Sequence, residues 1–401
     1  MNKRVLGVLS FAALLILGYG RARSQPQPGD QAQRFRAMSI DAEKKGLAEP
    51  FKGITTNGTL ETGLFTVRST GIPTEGVRKA ADAFLSALNP DQRKKTVFPV
   101  DDVEWRKWMN QDFYVRQGVS FEEMSAGQRD AAFGLMRASL SAKGMKLSRD
   151  IMKLNYTLGE LNNGNFGRYG EWLYWITVMG EPSKDKPWGW QLDGHHLIVN
   201  YFVLGDQVVM TPNFVGSEPV IAHAGKYQGT SVLQDERYLG LAMIRALDDG
   251  QKAKAVLNVS KTGNNNVAEA FKDNVVLDYA GVRASSFTAP QKKQLLTLVS
   301  EYVGNMDDGH AKVKMEEVRR HLDSTYFAWI GGTDDSSVFY YRIHSPVVLI
   351  EFDHQVPVGL RHLSADPSAP NHEHIHAVVR TPNGNDYGQD LLRQHYRRYP
   401  H

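Results

Sequence analysis

Two hydrophobic spacings alternate along the chain, and together they predict a protein that combines helices with a sheet. Apolar residues recur at helical spacing in segments such as residues 295–303, which predicts amphipathic helices. Aromatic and apolar residues alternate with polar ones in two blocks, 172–212 and 324–354, as in hairpin-linked strands. We therefore predict an α+β fold in which amphipathic helices pack on antiparallel β-meanders. Helix starts are marked by a capping residue with glutamine three positions later, at Asn89–Gln92, Ser125–Gln128, Asp248–Gln251 and Thr288–Gln291.

The two strand blocks resemble each other, which suggests an internal repeat. A shift of 151 positions aligns Trp188 with Phe339 and Ile198 with Leu349. We interpret this as a diverged duplication of a helix-then-sheet unit, at about 89–216 and 248–400, with both halves sharing one core. A chance likeness between two aromatic-rich hairpins is the alternative. In either case, residues 35–401 are expected to form a single domain.

The N-terminus has the pattern of a secretory signal peptide. Lys3 and Arg4 precede an apolar run over residues 5–17, and small residues stand at Ala22 and Ser24. We expect residues 1–24 to be cleaved, leaving residues 25–34 as a flexible leader rich in Gln, Pro and Gly. An uncleaved anchor is the alternative. The expected location is periplasmic or secreted, with no stable membrane insertion after cleavage.

Composition narrows the chemistry that an exported protein of this kind can use. The 401 residues include no cysteine, which excludes disulfides, thiol catalysis and zinc–thiolate sites. Any metal must therefore be bound by histidine and carboxylate ligands. Without residues 1–24, the 47 basic residues fall by four to 43, against 44 acidic residues. A near-neutral chain gives no indication of a nucleic-acid-binding surface.

The segment APNHEHIHAVVRTPNG, residues 369–384, is the strongest candidate for a functional site. Alternate residues of a β-strand lie on one face, so His374, His376 and Arg380 share a face. Two imidazoles at His-x-His spacing can reach one metal ion. Glu351 and Asp353 share a face of the preceding strand, where unpaired carboxylates are costly to bury and call for cationic or metal partners. The alternative is that the histidines lie at a strand edge, where they are solvated or hydrogen-bonded and bind no metal.

Other histidines can complete such a cluster. His344 shares a strand face with Arg342, whereas His195 and His196 are adjacent. Adjacent strand residues point to opposite faces, so at most one of this pair joins a given cluster unless a bulge intervenes. One of the two carboxylates at 351 and 353 is also expected to bind the ion. The candidate metal ligands are His374, His376, His344 and His196, and the candidate catalytic residues are Glu351, Asp353, Arg380 and His195.

Several motifs occur together and in a fixed order: WGWQLDGHHL, YYRIHSP, IEFD, HIHAVVR and NDYGQDLL. With them, the chain from about residue 75 to its C-terminus resembles the bacterial family known as domain of unknown function 3500. The chain departs from the family in having Glu373, where members carry asparagine directly before the first histidine of His-x-His. The resemblance implies that the family's recurrent polar positions here are His195, His196, His344, Glu351, Asp353, His374, His376, Arg380, Asp386, Asp390 and His395.

The leading functional hypothesis is an exported metal-dependent hydrolase. A divalent ion, zinc or iron, held by histidines and a carboxylate would lower the pKa of a bound water and so supply a nucleophile. Arg380 could hold an oxyanion. The expected substrate is a small molecule or polymer fragment. Two alternatives stay open: a non-haem iron oxidoreductase, since two histidines and one carboxylate form its facial triad, and a non-catalytic periplasmic ligand-binding protein.

Overall fold

The computed structural model describes residues 28–399, with side chains from residue 31 onward. The predicted signal peptide therefore lies outside the described residues. The first helix begins at Pro28 and runs through most of the segment expected to be a flexible leader. The α-helices of this range are α1 Pro28–Gly46, α2 Glu75–Ala87, α3 Pro90–Thr96, α4 Ala126–Ser139, α5 Ala142–Leu161, α6 Gln234–Arg245, α7 Asp249–Ala255, α8 Ala289–Val303, α9 Asp308–Arg320 and α10 Gln389–Arg398.

The strands of the described range form one sheet. They are β1 Val97–Phe98, β2 Val119–Ser120, β3 Tyr174–Met179, β4 Trp188–Gly194, β5 Leu197–Leu204, β6 Gln207–Val209, β7 Asn213–Ser217, β8 Val256–Asn258, β9 Val282–Arg283, β10 Tyr326–Gly331, β11 Phe339–His344, β12 Leu349–His354 and β13 Ile375–Arg380. The predicted α+β class is confirmed.

The four predicted helix starts are all confirmed. Helices α3, α4, α7 and α8 each begin with a capping box, in which the capping side chain and the glutamine three residues later hydrogen-bond each other's backbone N–H groups. In α3, for example, Asn89 Oδ1 accepts from the backbone N–H of Gln92 at 2.8 Å. The sequence signal works because these contacts are local and satisfy N–H groups that a helix start leaves free.

The sheet order is β1-β3-β4-β5-β7-β13-β12-β11-β10-β8, with β2 beside β3, β6 beside β5 and β9 beside β10. The two outer pairs, β1 with β3 and β8 with β10, are parallel, whereas the meanders β3-β4-β5 and β10-β11-β12 are antiparallel. Strand order and direction thus correspond between the halves, as an internal duplication requires. The halves join through antiparallel pairing of β7 with β13.

The two faces of the sheet are covered differently. Helices α2, α4, α5, α6, α8 and α9 pack on one face and form the main hydrophobic core with the tryptophans of β4. The opposite face is covered by α10 and by loops, including residues 98–109 and 268–277, around a second core with Phe214 and Val378. The candidate site lies at this loop-covered face. None of the helices in residues 28–399 is long and apolar enough to cross a membrane.

Candidate metal centre

Three histidines from the two halves meet where β7 pairs with β13. His376 lies in β13 directly opposite Gly216 of β7, and His374 lies just before β13. His196 belongs to the two-residue turn between β4 and β5, where its φ is 63°, and its carbonyl oxygen accepts from the backbone N–H of Gly216 at 2.8 Å. Strand β7 therefore sets the distance between a hairpin turn of the first half and a strand of the second.

Gly216 makes room for the rings on both sides. A Cβ atom at this position would lie 3.2 Å from Cδ2 of His376, 3.3 Å from Cδ2 of His196 and 2.8 Å from the carbonyl oxygen of Ile375. Phe214, two residues earlier, packs edge-on against the His376 ring at 5.0 Å. A glycine at position 216 is therefore what lets the imidazoles approach each other across β7.

The three imidazoles present the same nitrogen to one point. His374 Nε2 lies 3.0 Å from His376 Nε2 and 3.3 Å from His196 Nε2. One ligand nitrogen from each ring lies within 4.8 Å of the other two, and all three residues are buried. Nitrogens bound tetrahedrally to zinc at about 2.0–2.1 Å lie about 3.3 Å apart, so small side-chain movements suffice. This group could hold a metal ion.

The opposite nitrogens of two of these rings are held by acceptors. His376 Nδ1 lies 2.6 Å from Oε1 of Glu269, and His374 Nδ1 lies 2.8 Å from the carbonyl oxygen of Val356. Burial alone would raise the pKa of the Glu269 carboxyl, but His376, Asn266 and His374 together outweigh burial and lower that pKa. An ionised carboxylate and a carbonyl only accept, so both Nδ1 atoms carry the proton, as in histidines that bind metals.

This proton arrangement directs the Nε2 atoms of His374 and His376 toward each other. When His374 and His376 are neutral, their Nε2 lone pairs face each other at 3.0 Å. Burial lowers the pKa of His374 to about 4, and burial together with neighbouring histidines lowers the pKa of His196 well below its usual value. Protonation of His374 and of His196 is therefore unfavourable at neutral pH, whereas a divalent ion bound by the lone pairs removes the repulsion.

His195 lies beside the cluster. Its ring stacks on His196 with centroids 3.9 Å apart, and its Nδ1 lies 2.8 Å from Oδ1 of Asn155 in helix α5. Burial lowers the pKa of His195 to about 4, so its ring is neutral at physiological pH. One of the two adjacent histidines thus joins the cluster, and the other packs against it.

Glu351 and Asp353 lie on the same sheet face as His376 and Arg380, because Asp353 is opposite His376 and Leu349 is opposite Arg380. Their carboxylates nevertheless hold the loop that follows β8. Glu351 accepts from Tyr340 Oη at 2.6 Å and from the backbone N–H groups of Val267 and Ala268.

Asp353 is bound to the same loop by a buried ion pair. Its Oδ1 lies 2.9 Å from Lys261 Nζ, and its Oδ2 accepts from the backbone N–H groups of Asn265 and Asn266. Among the described residues, the histidine group that could hold a metal includes neither Asp353 nor Glu351. Both carboxylates instead fix the loop that carries Glu269 to His376.

Arg380 is fully buried, and all of its guanidinium nitrogens donate to protein acceptors. Nε donates to Asp386 at 2.7 Å, Nη2 to Asp273 at 2.6 Å and Nη1 to the carbonyl oxygen of Ala268 at 2.9 Å. Burial opposes the charge, but Asp386 and Asp273 outweigh it and raise the pKa of Arg380. The structure thus places this arginine in an ion-pair network beneath the 261–273 loop.

His344 lies at the far end of β11, opposite Leu349, and packs on the ring of Tyr279 at 4.6 Å. Burial and the neighbouring Arg342 lower its pKa to about 3. The structure brings together three of the four candidate ligands, His196, His374 and His376, and leaves His344 in a separate environment.

Two carboxylates near the cluster were not predicted. Glu269 holds His376, and Glu218 lies 3.8 Å from His374 Nδ1 while accepting from the backbone N–H groups of Val358, Gly359 and Leu360. Glu269 is 107 positions before His376 in a loop without periodicity, and no local pattern connects the two residues. Such contacts depend on how the loops fold over the sheet.

The fold and the site together define an α+β protein with a buried three-histidine group that could hold a metal ion. The chain belongs to the family described as protein of unknown function (DUF3500), whose sequence model matches residues 70–389. The resemblance expected from the motifs is therefore confirmed. No curated protein and no solved structure matches the chain.

Proposed function

We propose that the protein is an exported metal-dependent hydrolase whose ion, zinc, is bound by His196, His374 and His376. The observation that carries the proposal is the convergence of three buried Nε2 atoms, with His374 Nε2 at 3.0 and 3.3 Å from the other two. Three histidine ligands leave a fourth tetrahedral position for water, whose pKa zinc lowers toward neutrality. The substrate is a small molecule or polymer fragment.

The position of the carboxylates favours zinc over the iron chemistry of a facial triad. A facial triad needs one carboxylate oxygen bound to the ion. Glu269 and Glu218 instead lie on the Nδ1 side of His376 and His374, behind the ligand atoms. In this position a carboxylate orients the ring and increases its basicity. Three neutral ligands leave a doubly charged ion uncompensated, which favours the binding of an anionic nucleophile.

Metal analysis of the purified chain tests the proposal. We expect about one zinc per chain, as in other three-histidine sites, and loss of that zinc in each of His196→Ala, His374→Ala and His376→Ala. His223→Ala is the matched control, because His223 is exposed and its Nε2 lies 3.4 Å from Glu373 Oε1, away from the three Nε2 atoms of the cluster. Hydrolysis of chromogenic ester, phosphoester and amide substrates should fall with zinc content and return when zinc is restored.

Two results would overturn the proposal. Wild-type protein that takes up no zinc and keeps its stability when the three histidines are replaced would indicate a hydrogen-bonded cluster, as in a ligand-binding protein. Protein that binds iron in preference to zinc and consumes dioxygen would indicate an oxidoreductase.

A further inference from the structure

A cavity of about 440 Å³ opens at the surface between the end of helix α5 and the loop that follows β12. Asn162, Arg168 and Tyr169 line one side, and Val358, Gly359, Arg361 and His362 line the other. The two sides are tied together, because Asn162 Nδ2 donates to the carbonyl oxygen of Gly359 at 3.1 Å. The cavity therefore has defined walls.

Each wall of this cavity is connected to the histidine cluster through one intervening residue. On one side, the Tyr169 ring lies 5.8 Å from the ring of His195, which stacks on His196. On the other side, the backbone N–H of Gly359 donates to Glu218 Oε2 at 2.7 Å, and that oxygen lies 3.8 Å from His374 Nδ1. His195 on one side and Glu218 on the other thus lie between the cavity walls and the three histidines.

The charges around the cavity favour an anion. Arg168, Arg361 and His362 line it, and no carboxylate of the described residues does. Arg168 is paired with Asp112, whereas Arg361 is exposed and takes part in no ion pair within residues 31–399. The nearby charge of Glu218 is buried and already neutralised in part by three backbone N–H groups. Among the described residues, the Arg361 guanidinium therefore has no acceptor of its own, which points to Arg361 as the group that can bind a ligand.

We infer that this cavity holds an oxyanion group of the substrate, a carboxylate or a phosphate, with Arg361 as its principal partner and Arg168 as the second. A guanidinium group binds either oxyanion through two parallel hydrogen bonds. The adjoining part of the same molecule then lies near His195 and Glu218, which contact the histidine cluster. This inference rests on the proposed hydrolytic site, and it adds that the substrate is anionic.

Anion binding by metal-free protein tests the inference without involving the ion. Calorimetric titrations use inorganic phosphate and, separately, succinate, so that phosphate and carboxylate ligands are distinguished. We expect Arg361→Gln to weaken the better ligand by about tenfold to hundredfold, the range for losing a charged hydrogen-bond partner. Arg361→Lys should lose less. Arg319→Gln is the matched control, because Arg319 is exposed in the last turn of α9. Equal binding by wild type and Arg361→Gln would overturn the inference.

A second measurement relates the cavity to the metal. In protein loaded with cobalt, bound phosphate should show faster ³¹P relaxation, and His376→Ala should remove this effect without changing phosphate affinity. Arg361-dependent binding with no cobalt effect would separate the cavity from the cluster and overturn the inference. If the protein takes up no metal while binding still depends on Arg361, the oxyanion site stands and the hydrolase proposal fails.

Discussion

Replacing Glu269 with glutamine should weaken zinc binding although Glu269 does not contact the ion. Its Oε1 lies 2.6 Å from His376 Nδ1, and glutamine keeps an acceptor oxygen but loses the negative charge. The carboxylate charge strengthens the hydrogen bond and makes the His376 Nε2 lone pair a better ligand. The variant therefore tests the charge of this contact and leaves its shape almost unchanged.

The size of this effect follows from the geometry. Loss of an outer hydrogen-bond partner of a metal ligand costs about 10- to 100-fold in affinity, or about 1.4–2.7 kcal/mol. The Glu269 side chain is 27% exposed, so solvent screens part of its charge and places the expected loss near the lower end, about tenfold. Competition with a chromophoric chelator at neutral pH measures this change directly.

Glu373→Gln provides the control for the Glu269 variant. Glu373 also lies near a histidine ring, the exposed His223, but at 3.4 Å and with its own side chain partly exposed, and its replacement should leave zinc affinity unchanged. The reasoning is refuted if Glu269→Gln binds zinc as tightly as wild type while His376→Ala does not bind it. In that case His376 would be oriented by packing against Phe214 and Gly216, and not by the carboxylate.

Three further predictions concern stability and processing. Arg380→Met should cost about 3–5 kcal/mol in urea unfolding, because it leaves Asp386 buried without its ion-pair partner and removes one of the two arginines that pair with Asp273; a loss below about 1 kcal/mol would contradict this account. Burial raises the pKa of Glu351 from 4.5 to about 7, so ionisation lowers stability as pH rises between these values. Glu351→Gln cannot ionise and should gain up to about 3 kcal/mol over wild type between pH 4.5 and 7, whereas a pH-independent difference between the two proteins would indicate an ordinary pKa. Mass spectrometry of exported protein should find Gln25 as the first residue, and intact residues 1–24 would indicate an anchor.

The features that the sequence predicted correctly depend on local spacing. The capping boxes at Asn89 and Thr288 require contacts over three residues only, and the meanders follow from alternation along single strands. The shared face of Asp353 and His376 was also predictable, since alternation assigns a face to each residue. The alternation of polar and apolar residues does not identify the hydrogen-bond or ion-pair partner of a side chain. The partners of a carboxylate depend on which loop covers the sheet.

The loop after β8 shows why the roles of the carboxylates were not predictable. Glu351 and Asp353 are conspicuous in the sequence because two acidic residues alternate within an apolar strand. Apart from Tyr340, which donates to Glu351, their partners include Lys261 and backbone N–H groups of residues 265–268, and backbone groups have no sequence signal. The carboxylate that does contact a cluster histidine, Glu269, lies in the same loop, which has no periodic pattern.

The position of the cluster follows from an asymmetry between the two halves. The first half contributes His196 from the turn after β4, and the second contributes His374 and His376 from around β13. Under the 151-residue shift, the position of His196 corresponds to Val347, which is fully buried in the second core. That turn carries no imidazole, so the corresponding place in the second half cannot form the same cluster. The two halves are similar but unequal, and their pairing places the three-histidine site at the β7–β13 junction. Because the histidines come from both halves, the site forms only when both halves are folded together.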